Sequence, residues 1–192
     1  MDYLIYQLSD LPADFSEPAG LPALEQQAAE RRGATYTKCR HVLLRELSRR
    51  TGIPAQSISF TYSEQGKPEF PAQPFNISHS GDCLCIAFHH LPIGVDIERI
   101  RPRSFEPLAR RFMCEEQLQD FIQQGLPEEL FFICWCTAEA LVKHAGDTMW
   151  HARQYPFIYR HGRIECLFPD APEVRLFTPM PGYQGAVAYT NS

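Results

Sequence analysis

The chain has 192 residues, 44% of them hydrophobic and 21% charged, with a formal net charge of −5. That length suits one large domain or two small halves with a real apolar core. A net acidic chain argues against nucleic acid as its main partner, because phosphate-backbone binding wants a basic face.

Residues 3–8 alternate as a strand, and Pro12, Pro18, Gly20 and Pro22 mark a loop. Residues 23–50 read as helix, broken near Gly33 and ended by Gly52 and Pro54, with Leu43, Leu44 and Leu47 as the apolar stripe. Residues 58–62 alternate as a strand before the turn Gly66-Lys67-Pro68. Phe75 to Gly81 is a short strand running into a polar turn, and the apolar runs 84–88 and 93–97 read as a hairpin within a sheet. Helices are expected over 105–112, 114–124 and 128–145, the last ended by Gly146. Strand-like pieces follow at 155–160, 163–168, 173–178 and 184–190. The order predicts an α+β fold of two similar halves, 1–98 and 99–192, related by a pseudo-twofold, each a small, mostly antiparallel sheet packed with a long helix. The seven cysteines form no C-x-x-C pair and no structural zinc spacing, so they read as reduced thiols. The N-terminal residues carry no basic leader, and no apolar run nears the ~20 residues of a membrane span. A cytoplasmic protein with no membrane partner is expected.

The segment Gly94-Val95-Asp96-Ile97-Glu98 carries the most chemistry. On a strand, residues two apart point the same way, so Asp96 and Glu98 share a face while Val95 and Ile97 pack. Two carboxylates on one face repel, and a proton, a cation or a basic partner relieves them. Hard oxygen ligands of this kind suit Mg²⁺. Glu139 and Lys143 lie four apart on a helix, on one face of an otherwise apolar stretch from Leu130 to Val142. A plain exposed pair at that spacing is worth only ~0.3–0.5 kcal/mol. Ser78-His79-Ser80 places hydroxyls and an imidazole where they would hold a phosphate, and no G-x-S-x-G elbow supports a hydrolase triad.

Read together and in order, these stretches resemble the 4′-phosphopantetheinyl transferase superfamily of the Sfp type, nearest its compact, holo-acyl-carrier-protein synthase-like members. The resemblance runs over roughly residues 36–190 and includes Arg110-Arg111-Phe112, the helix from Trp135 to Lys143, and Pro181-Gly182-Tyr183. It implies Mg²⁺ held by Asp96, Glu98 and Glu139, with Glu139 also the base and Lys143 on the phosphates. It further implies that Lys67, Ser78, His79 and Arg40, with Lys38 as a substitute for Arg40, hold coenzyme A. The implied reaction moves the 4′-phosphopantetheine arm to a serine of an acidic acyl or peptidyl carrier protein, releases adenosine 3′,5′-bisphosphate, and is run by a monomer. Ala138 departs from the pattern, which has a basic residue before the helix glutamate. Two other readings use the same residues: a relative that binds carrier protein or coenzyme A without turnover, and a metal-dependent phosphodiesterase built on the D-x-E pair.

Overall fold

The stripe Val42, Leu43, Leu44 and Leu47 becomes the buried face of α2 (Ala34–Thr51), each side chain no more than 2% exposed. The computed structural model describes residues 1–191 and divides the chain into two units, residues 6–73 and residues 1–5 with everything from Pro74 onward. In the first unit, α1 (Ala23–Arg32) and α2 are separated by Gly33 alone, at φ 81°. Glycine adopts that left-handed backbone at little cost, so the helix expected over 23–50 breaks where glycine stands. The strand expected at 58–62 shortens to β2 (Thr61–Tyr62), which pairs with β3 (Pro68–Glu69) around the Gly66-Lys67 turn. Ile58 is fully buried instead of alternating on a sheet.

The second unit holds two three-stranded sheets. One runs β1 (Asp2–Gln7), β5 (Cys83–Phe88), β4 (Phe75–Ser80) in spatial order. The other runs β6 (Ile93–Arg99), β10 (Tyr183–Tyr189), β9 (Glu173–Phe177), antiparallel throughout. A hairpin of β7 (Phe157–Arg160) and β8 (Arg163–Cys166) stands apart. The runs 84–88 and 93–97 are therefore no hairpin: β5 pairs with β4, and β6 pairs with β10. Side chains, not a backbone ladder, serve the other edge of β6. Asn76 Oδ1 accepts from Val95 N–H, Ser78 Oγ from Ile97 N–H, and Ser80 Oγ from Arg99 N–H, at 2.8 to 3.2 Å.

Helices α3 (Phe105–Phe112), α4 (Glu115–Gln123) and α5 (Glu128–Ala145) fall where the periodicity predicts. α5 lies across β6 and β10, and Phe131, Phe132, Ala140 and Leu141 sit at its core. The approach to β6 is close enough to require Gly94: a Cβ there would stand 2.0 Å from the carbonyl oxygen of Ala140 and 2.4 Å from the backbone nitrogen of His144. The fold class is α+β, as the element order implied. Positions 98 and 99, where the sequence reading divides two similar halves, are successive residues of β6. No helix among the described residues is long and apolar enough to cross a membrane.

Candidate active site

Strand alternation builds the acidic edge. Asn76, Ser78 and Ser80 share one face of β4, and two of them reach the carboxylates of β6. Ser78 Oγ donates to Asp96 Oδ1 at 2.8 Å, and Ser80 Oγ donates to Glu98 Oε2 at 2.6 Å. Each serine hydroxyl thus accepts from a β6 amide and donates to a β6 acid. Sequence reasoning read Ser78, His79 and Ser80 as a phosphate-holding turn, assigned Ser78 to coenzyme A, and gave neither Ser80 nor Asn76 a part in holding β6. The period-two spacing of 76, 78 and 80 against 95–99 was the signal that would have found them.

Asp96 is 5% exposed. Its Oδ1 accepts from Lys143 Nζ at 2.6 Å, and its Oδ2 is buried with no hydrogen-bond partner among the described residues. The nearby Cys136 thiol donates instead to the Gln184 carbonyl oxygen, at 3.5 Å. Burial, then the charges of Asp96 and Glu98, push that thiol's pKa well up. An orphaned carboxylate oxygen in the interior is costly unless something meets it.

Lys143 also donates to the Val95 carbonyl oxygen at 3.3 Å and stands 3.9 Å from Glu139 Oε2. Burial pulls the Lys143 pKa down, but Asp96 and Glu139 outweigh it and the net is upward. Burial raises the Glu139 pKa; Lys143 opposes this, and the charges of Asp96 and Glu98 reinforce it. Asp96, Glu98, Glu139 and Lys143 therefore share one electrostatic neighbourhood. Still, no three His, Cys, Asp or Glu side chains among the described residues form a ready cluster of metal ligands. His79 points to the other face of β4 from Ser78, and its pKa is lowered first by partial desolvation of the ring and second by the Lys143 charge. Ala138, 2% exposed, belongs to the apolar cluster under α5.

The remaining sequence candidates lie in the 6–73 unit. Arg40 is 6% exposed and pairs with buried Glu25 at 3.0 Å. Its Nε donates to the Tyr36 hydroxyl, which donates on to Glu25 Oε2, each at 2.9 Å. The guanidinium also lies over the rings of Tyr36 and Phe60, about 5 Å from each centroid. Arg40 Nη1 is buried without a partner among the described residues. The Lys38 ammonium is taken by the Leu8 carbonyl oxygen at 2.9 Å. Lys67 sits in the turn between β2 and β3, its backbone amide held by Ser63 Oγ at 3.1 Å. Neither the buried Arg40–Glu25 pair nor the partners of Glu25 was legible in the sequence.

Comparison with known proteins places this arrangement. The family model described as "4'-phosphopantetheinyl transferase superfamily" matches residues 92–177, which include β6 and α5. The chain is 31% identical to 4'-phosphopantetheinyl transferase Sfp of Bacillus subtilis, over 76% of this chain and 70% of that one. It is 33% identical to 4'-phosphopantetheinyl transferase psf-1 of Bacillus pumilus, over 86% and 77% of the two chains. It is also 33% identical to 4'-phosphopantetheinyl transferase HetI of a Nostoc species, over 73% and 63%. With acids and lysine on facing elements inside the matched segment, and with relatives covered over most of their length, the chain belongs to the 4'-phosphopantetheinyl transferase superfamily and is an enzyme of that kind.

Proposed function

We propose that the protein moves the 4′-phosphopantetheine arm of coenzyme A onto a serine hydroxyl of an acidic acyl or peptidyl carrier protein and releases adenosine 3′,5′-bisphosphate. In this reading the serine oxygen forms a bond to the β-phosphorus as the bond to the leaving bisphosphate breaks, and Glu139 takes the hydroxyl proton. The raised proton affinity of Glu139 favours that role. Lys143, kept charged by Asp96, sets a cation beside the phosphates.

The donor set fits Mg²⁺: all three candidate ligands are carboxylates, and Asp96 Oδ2 is buried with no partner among the described residues. Asp96, Glu98 and Glu139 would hold the ion. When bound, it neutralises charge on the pyrophosphate. Ser78 fixes Asp96 in place. The resemblance extends the proposal to His79, Ser78, Lys67, Lys143 and Arg40 as contacts of coenzyme A. The seven unpaired thiols suit the reducing cytoplasm, where we place a monomeric enzyme.

The observation that carries the reading is Asp96 itself, one oxygen on Lys143 and the other orphaned, beside a glutamate whose pKa burial has raised. Mass spectrometry of apo-carrier proteins mixed with the enzyme, coenzyme A and Mg²⁺ tests it. The expected result is a mass gain of one phosphopantetheine arm that disappears with a chelator. No gain on acyl, polyketide or peptidyl carriers would overturn it.

A further inference from the structure

Tyr183 opens β10 on the face of its sheet opposite Glu98. Its register partner on β6 is Arg99, whereas Glu98 stands opposite Gln184, and side chains alternate faces along a strand. The Tyr183 ring is 8% exposed and belongs to the apolar cluster with Cys83, Val95, Ile97 and Val187. A phenylalanine would fill that space as well. What tyrosine adds is a hydroxyl, and a buried hydroxyl needs a partner. Here the partner is a backbone amide: Asp82 N–H donates to Tyr183 Oη at 3.3 Å.

Asp82 belongs to the two-residue turn Gly81-Asp82 that joins β4 to β5. Gly81 has φ 55°, the left-handed backbone that a two-residue hairpin takes at its first central residue and that glycine adopts at little cost. The turn is clasped from outside. A Cβ added at Gly81 would stand 2.7 Å from Tyr183 Oη and 3.5 Å from Arg99 Cδ. The residue just before the turn is Ser80, whose Oγ accepts from Arg99 N–H at 3.1 Å and donates to Glu98 Oε2 at 2.6 Å. Asp96 is held twice, by Ser78 and by Lys143. Glu98 is held once: among the described residues Ser80 is the one hydrogen-bond partner of its carboxylate, and no cation pairs with it. Whatever sets Ser80 therefore sets Glu98.

We propose that Tyr183 is a positioning residue for Glu98. Its hydroxyl pins the Gly81-Asp82 turn, the turn fixes Ser80, and Ser80 orients the Glu98 carboxylate toward the place where a divalent cation would be held. This rests on Glu98 being a metal ligand, as the phosphopantetheinyl-transfer reading has it.

The test titrates Mn²⁺, a hard-oxygen stand-in for Mg²⁺, into the full-length enzyme with coenzyme A. Bound ion is read as loss of the free-ion paramagnetic resonance signal against a protein-free control. Ser80→Ala is expected to weaken Mn²⁺ binding about tenfold, and Tyr183→Phe, one link further away, about threefold. Both act through one carboxylate, so Tyr183→Phe should cost nothing more in a Ser80→Ala background. Two unrelated packing defects would instead multiply. Ser80→Thr, which keeps the hydroxyl, should recover most of the affinity. Tyr183→Phe keeps the ring in its apolar cluster, and Gly81→Ala disturbs the same turn from the other side and should weaken binding in the same direction. Unchanged Mn²⁺ affinity in Tyr183→Phe would overturn the proposal, as would a Tyr183→Phe loss that persists in full beside Ser80→Ala. Undiminished Mn²⁺ binding in Glu98→Gln would overturn it too, by removing Glu98 from the metal site. Failure of the transfer reading is seen separately, as a wild-type enzyme that modifies no carrier, and the Mn²⁺ titration needs no carrier to decide.

Discussion

At the residue scale the site turns on Asp96. Among the described residues it is the one side chain that touches β4 through Ser78 and α5 through Lys143 while leaving an oxygen unused. Asp96→Asn keeps the volume and removes the charge. Lys143 loses its nearest counter-ion, and the carboxylate set loses its most buried member. The expected outcome is a fall in kcat/KM of about a hundredfold or more, the scale of losing a preorganised charge in a site. Circular dichroism should show a folded chain, because Ser78 and the β6 amide it caps stay paired. Activity equal to wild type at saturating Mg²⁺ would remove Asp96 from the chemistry. Sequence spacing placed Asp96 and Glu98 on one face, and they are. It did not show that Ser78 and Ser80 hold them, because that contact joins residues 18 apart across two sheets.

At the element scale the packing of α5 on β6 decides whether the acids and the lysine meet. Gly94 allows it: an added Cβ would fall 2.0 Å from one backbone atom of α5 and 2.4 Å from another, and backbone cannot swing aside as a side chain does. Gly94→Ala is expected to destabilise by about 3 kcal/mol or more, the upper end of overpacking, read as a lower denaturant midpoint. Activity should fall further than stability explains, since α5 carries Glu139 and Lys143. A midpoint unchanged from wild type would show that α5 can lift off β6 freely. The helices were legible because their apolar periodicity is local, and 105–112 and 128–145 match to the residue. The pairing of β5 and β6 was not. Adjacent apolar runs joined by a turn look like a hairpin, and only tertiary structure shows that β6 takes β10, nearly 90 residues later, as its partner. The polar alternation Asn76, Ser78, Ser80 read as a ligand turn when it is also an edge that caps a neighbouring strand.

For the whole molecule, the buried ionisable groups set a pH window. His89 is 8% exposed and its pKa is lowered, first by burial and then by the positive N-terminus and His90. A histidine held neutral in the fold binds fewer protons there than in the unfolded chain, so stability rises with pH across its titration. Its contribution is complete above the unfolded value, about 6.5, and is lost as pH falls from there toward the folded value. His79 is shifted in the same direction. Asp147 and Glu46 act in another range. The His151 contact lowers the Asp147 pKa; for Glu46, burial raises the pKa but the bonds from Tyr6 and Arg49 outweigh it. Both carboxylates therefore lose their stabilisation only as pH drops below about 4. Lys143, raised, matters only above about pH 10. As pH falls from 7 to 5 the shifted histidines lower stability, while Glu139, its pKa raised by burial, acts in the opposite sense. The wild-type chain is therefore expected to lose more melting temperature between pH 7 and pH 5 than His89→Gln, which carries no titrating ring. Parallel slopes for the two chains would show that the buried imidazole takes up its proton without cost to the fold.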